Sequence, residues 1–279
     1  MSDGTSSTTS GASSSVLSSS AVMAAGTAVS RVSGYVRSLL LAAALGTQLH
    51  ADGDTVGVAH QVAATTRTAL ALILPFAAAL PLIALPLSNI VWGYAAASET
   101  YQDFAVSLAL FAPGLVFFTV HYLMLRGFYS LERTRTVFLV QCVIAVTNIV
   151  LAVVVTSYTD PQDTAPGLVL AYDGAYAVGA VLSYLVLRRV LGGLDTAVTV
   201  RFLVRMVLAS AIAAGVAWAF RAGVLAVWEL GDGKLQAVAL LVGVGVVDLV
   251  ALLVVARAMR IREVNEVVSL VTSKLPGRR

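Results

Sequence analysis

Charge is scarce in this sequence. Asp, Glu, Lys and Arg make up 12% of its 279 residues, 58% are hydrophobic, and the mean hydropathy is +0.89. A soluble domain carries about 25% charged residues and about 45–50% apolar ones. A soluble globular fold is therefore excluded, and an all-α integral membrane protein is the expected class. Cysteine is nearly absent. Cys142 stands alone inside an apolar run, which excludes an internal disulfide and suits a small buried hydrophobe. The first twenty residues, rich in Ser, Thr and Gly, contain no Lys or Arg and only Asp3 as a charge. They lack the basic start of a secretory signal and are expected to be a disordered tail. His50, His60 and His121 show no metal-ligand spacing, and His121 reads as a hydrogen-bonded packing residue. No phosphate loop, nucleophile elbow or zinc pattern occurs, so no enzyme chemistry, cofactor, metal or nucleic-acid partner is expected.

What is present is a series of long apolar runs, near 21–45, 68–92, 104–125, 137–157, 168–187, 202–228 and 235–256. Each approaches or exceeds the roughly 20 residues that a helix needs to cross the hydrocarbon core. Bare backbone is not tolerated in lipid and strand-like alternation is absent, so these are about seven transmembrane helices. Pro75, Pro81 and Pro86 lie in the second run and Pro113 in the third. They mark either moving helices or ordinary packing. Trp92, Tyr94 and Tyr101 fall where an interfacial aromatic belt belongs, and Ala175 and Gly179 are spaced for close helix contact.

The loops alternate in charge. Loop 93–103 carries Glu99 and Asp103, and loop 158–167 carries Asp160 and Asp163. Loop 126–136 holds Arg126, Arg133 and Arg135; loop 188–201 holds Arg188, Arg189 and Arg201; the tail beyond residue 260 is strongly basic. The positive-inside rule then puts the basic loops and the C-terminus in the cytoplasm, and the last six runs form three hairpins. The tail is expected to lie on anionic lipid as a short amphipathic helix. The second run must start inside, so the first, at 21–45, either spans with its N-terminus outside or lies in the interface.

Polar groups inside these runs are the candidate site. A charge in a transmembrane helix is costly, about 2.5–3.5 kcal/mol on insertion scales, and is a functional candidate by default. Arg31 and Arg37 lie near the middle of the first run, and Asp248 lies mid-way through the last. Six helical residues rotate the two arginines to about 120° from each other, at roughly 9 Å along the axis. They either line one broad cavity or snorkel to headgroups and pair with acids. Asp248 is either functional, protonated, or paired with an arginine. A retinal-type photoreceptor would need a Schiff-base lysine in the last helix, and the 235–256 run has none.

The stretch Ala24-Ala25-Gly26-Thr27-Ala28-Val29-Ser30-Arg31-Val32-Ser33-Gly34-Tyr35-Val36-Arg37, with Ala42 to Gly46 after it, resembles the first helix of the lipid II flippases, the MurJ/MviN family of the multidrug/oligosaccharidyl-lipid/polysaccharide exporter superfamily. From about Asp52 onward the chain resembles that family's C-terminal part, most clearly over Leu125–Thr136 and Leu187–Asp195. The resemblance implies the first helix joined near His50–Asp54 to the ninth through fourteenth of a fourteen-helix fold. That is a partial two-lobe flippase retaining mainly the C-terminal lobe. The expected organisation is a tail at 1–20, a first helix at 21–45, a junction loop at 46–67, a six-helix lobe at 68–259 and a basic tail at 260–279.

The implied substrate is an undecaprenyl-diphosphate-linked peptidoglycan precursor in the bacterial cytoplasmic membrane. Arg31 and Arg37 match the family's first-helix arginines, and guanidinium suits diphosphate oxygens. Asp52 matches an acidic residue after helix one, or else belongs to the approach to helix nine. Asn148 resembles a sodium ligand of some members, but its partner helix has no counterpart here, so a working ion site is not expected. The partial fold implies a truncated, inactive flippase, or a non-transporting protein that binds lipid or a partner. A homo-oligomer is the arrangement that would supply a second lobe.

Overall fold

The computed structural model describes residues 54–93, 101–160, 163–227 and 233–265. Six long helices fill them: α1 Thr55–Trp92, α2 Tyr101–Ser130, α3 Thr134–Tyr158, α4 Thr164–Leu191, α5 Thr196–Val227 and α6 Lys234–Ala258. All six are long and apolar enough to cross a membrane, and there is no strand among the described residues. The fold is thus an all-helical, multi-pass membrane one. The expected first helix, at 21–45, lies outside the described residues.

The helices run past the apolar stretches that announce them. Hydropathy marks only the part embedded in hydrocarbon, whereas a helix continues until its backbone is capped. The largest difference is at α1. The stretch 46–67, expected as a junction loop, is helical from Thr55, because Asp54 caps the end by accepting from the Gly57 N–H at 2.8 Å. At 38 residues α1 is about 57 Å long, nearly twice the hydrocarbon thickness, so it projects beyond the core. It continues through Pro75, Pro81 and Pro86, and α2 through Pro113. The turns after α2, α4 and α6 use left-handed backbone at Glu132, Gly192, Asp195 and Arg260. Gly192 is the αL cap of α4, a conformation that a side chain would disfavour.

α1 is the central helix. It packs on α2 along one flank and on α5 and α6 along another; α4 packs on α2, and α3 lies outermost on α4. Midway along α1, Leu70, Ala71 and Leu74 meet Phe202, Met206, Ala209 and Ala213 of α5 and Leu252 and Ala256 of α6. Further along, Ala77, Leu80 and Ile83 meet Ala112, Ala217, Leu240 and Val244. Along this core the α5 face starts with the large Phe202 and Met206 and continues as the small residues Ala209, Ala213 and Ala217, all three fully buried, which let backbones approach closely. The expected close contact at Ala175 and Gly179 forms too. Both sit on α4 against α3, where Ile144 fills the space a Cβ on Gly179 would need. The outward faces are as greasy as the core: Phe138, Leu139 and Ile149 of α3 and Val254 of α6 are each more than 60% exposed, a surface that only lipid would solvate.

Tertiary contacts fix which ends lie together. His60 and Arg67 of α1 bond Asp195 and Thr199 at the start of α5, and Arg67 also meets Glu263 beyond α6. Gly127, near the end of α2, lies against Leu187 near the end of α4 and Val62 of α1. All the arginine-rich turns therefore share one side. At the other end Trp92 stacks on Phe104 across the α1–α2 connection, with ring centroids 5.3 Å apart.

Candidate functional site

Three polar features stand inside this apolar assembly. The first is at the arginine-rich end. Arg67 is only 8% exposed, roughly 18 Å along α1 from Thr55. Its Nε lies 3.6 Å from Glu263 Oε1, and its Nη1 donates to Thr199 Oγ1 at 3.4 Å. One guanidinium thus ties α1, α5 and the segment after α6 together. Nearby, the exposed His60 lies 2.9 Å from Asp195, and Tyr184 of α4 lies 2.7 Å from Thr196, so the α4–α5 turn joins the same network.

The second feature is Asp248. It occupies the α6 stripe Leu240, Val244, Asp248, Leu252 that faces α1 and α5, and its Oδ1 is buried without a hydrogen-bond partner. The third is the α2–α4 interface. Asp173 is 5% exposed, both of its carboxylate oxygens are buried with no side-chain partner, and it is seated against the backbone of Gly114 of α2. Further toward the arginine-rich end, His121 Nδ1 lies 3.2 Å from Ser183 Oγ, while the Ser183 hydroxyl also reaches the Gly179 carbonyl at 2.6 Å. Aromatic rings line the seam between these levels: Phe111 on Tyr172, Tyr172 on Tyr176, Phe118 and His121 on Tyr176.

Of the residues expected from sequence, Arg31, Arg37 and Asp52 lie outside the described residues. Asp248 is buried as an intramembrane carboxylate should be. Asn148 is half-buried on α3, which packs on α4 and α2, whereas Asp248 is on α6, which packs on α5 and α1. The two are on opposite flanks and form no common site. His121 is buried and hydrogen-bonded, as its packing reading required. Among the described residues no group of three His, Cys, Asp or Glu is placed to hold a metal.

Two functional candidates escaped the sequence reading. Asp173 gave the same signal as Asp248, a lone carboxylate within an apolar run, and that signal suffices to find it. Arg67 sat one residue before an apolar run and read as loop; its partner Glu263 is too distant in sequence to suggest a pair.

A family model described as lipid II flippase MurJ matches residues 36–239, nearly three quarters of the chain. No curated protein matches it.

Proposed function

The chain belongs to the lipid II flippase MurJ family, a family of membrane transporters serving peptidoglycan biosynthesis, and from that membership we propose that it binds a lipid-linked peptidoglycan precursor without carrying it across the membrane as a single chain. The observation that carries this reading is the architecture. The described helices form one assembly, with α2, α5 and α6 packed on α1, α4 on α2 and α3 on α4, which we read as the counterpart of a single lobe. Alternating access needs two lobes rocking about a central site. On the family resemblance the chain corresponds to the first helix and the ninth to fourteenth, an arrangement that would give a central cavity one wall and no opposing one. The arginine-rich end faces the cytoplasm in this reading, in keeping with the positive-inside rule.

Recognition rests on Arg31 and Arg37. A diphosphate offers paired oxygens to two guanidinium groups, each charged hydrogen bond contributing about 1.5–3 kcal/mol. Asp52 stands at the junction as a further candidate of the same site. Asp248 and Asn148 are not needed for diphosphate recognition. The test is native mass spectrometry of the chain in nanodiscs, with undecaprenyl-diphosphate-linked precursor against undecaprenyl monophosphate. The diphosphate lipid should bind preferentially, and Arg31→Ala with Arg37→Ala should weaken it tenfold or more. Equal binding of both lipids, or no change in the double variant, refutes the reading.

A further inference from the structure

Asp173 is the polar group that neither the packing nor the family reading uses. It faces α2 at a point where α2 has no side chain, since a Cβ added at Gly114 would collide with Asp173 Oδ1. On its own helix it is flanked by Tyr172 and Tyr176, whose ring centroids are 4.5 Å apart. Phe111 and Phe118 of α2 close against those two rings, each at 5.3 Å. The carboxylate therefore sits between a helix backbone and aromatic side chains, roughly 13 Å along α4 from Thr164. No side chain bonds either oxygen, and the donor nearest to the carboxylate is the backbone N–H of Gly114.

An ionised carboxylate in such a place costs several kcal/mol even after relaxation, unless something positive accompanies it. No ion pair among the described residues reaches it, and no metal-holding cluster of His, Cys, Asp or Glu includes it. With backbone pressed against one oxygen and rings beside the group, the seat suits the smallest positive partner.

We propose that Asp173 is a proton-binding site within the α2–α4 interface. The carboxylate takes up one proton to become the neutral acid when the two helices are packed, and returns that proton to water when they part. No other reactant is consumed. The titratable groups facing it are few. From α4 they are Tyr172 and Tyr176; from α2, His121, two turns further along and held by Ser183. α3 meets α4 through Val140 and Ile144, which are apolar, and its Cys142 is exposed. The titratable groups of α1, His60 and Arg67, lie at the arginine-rich end with Asp195 and Glu263 as partners. The seam that attaches α3 and α4 to the rest of the molecule thus closes over one exchangeable proton. This inference rests on helix packing, not on precursor binding, and fails or stands separately from it.

The test is infrared spectroscopy of the whole chain in lipid nanodiscs at neutral pH. Wild type minus Asp173→Asn should show the loss of a protonated-carboxyl stretch that shifts on deuteration. If Asp173→Asn does not fold, Asp248→Asn serves instead: it removes the other buried carboxylate among the described residues and should leave a protonated-carboxyl band, which belongs to Asp173. Loss of a carboxylate band in Asp173→Asn, absence of any protonated-carboxyl band in Asp248→Asn, or dependence of that band on sodium rather than on pH would overturn the proposal.

Discussion

Arg67 illustrates how a single side chain locks distant parts of a membrane protein together. Its guanidinium is nearly buried and reaches Thr199 and Glu263 at once. Removing one partner leaves the other as an uncompensated, poorly solvated charge, a larger loss than the pair's own net value. Arg67→Leu and Glu263→Gln should each lower stability by about 1–3 kcal/mol, and the double variant should lose less than the sum. Thermal melting in detergent as a double-mutant cycle checks this; strict additivity would show that the pair is not coupled. The exposed His60–Asp195 pair, by contrast, should be nearly silent in the same assay. Glycine positions separate by the same logic. Gly114→Ala drives a methyl into Asp173 and should cost about 1–3 kcal/mol, while Gly193→Ala meets open space and should stay within about 0.5 kcal/mol. At this scale the sequence revealed Asp248 and offered an equal signal for Asp173. It concealed Arg67, because hydropathy does not say which residues far apart in the chain will meet.

The helices themselves were legible. The described residues of each apolar run from 68 onward lie within one helix of the fold, since twenty apolar residues in lipid leave the backbone no other way to pair. Their buried faces were not. In water the apolar stripe of a helix points inward, but in lipid the outward face is equally apolar, so periodicity is lost as a guide. Side-chain size carries the information instead. On α5, beyond the buried Phe202 and Met206, the buried positions Ala209, Ala213 and Ala217 are small, whereas Val207, Ile212 and Val216 face outward. Ala213→Leu should therefore overpack the α1–α5–α6 core and lower stability by about 1–3 kcal/mol. Val216→Leu, on the lipid side, should change it by less than about 0.5 kcal/mol. Equal melting temperatures for the two variants would contradict the packing described.

For the molecule as a whole, the charges of the loops sorted the helix ends correctly. The turns rich in arginine gather at one end, where Arg67, Thr199, Glu263, His60 and Asp195 tie them together. Arg31 and Arg37 lie outside the described residues, and the role proposed for them follows from the match of guanidinium to diphosphate oxygens. On the proposed reading, this lipid II flippase family member holds its precursor with one lobe and does not move it. The most direct measurement is growth rescue in bacteria depleted of their own lipid II flippase, with membrane insertion of the chain verified in the same cells. The account predicts stable insertion without rescue; sustained growth on this chain alone would contradict it.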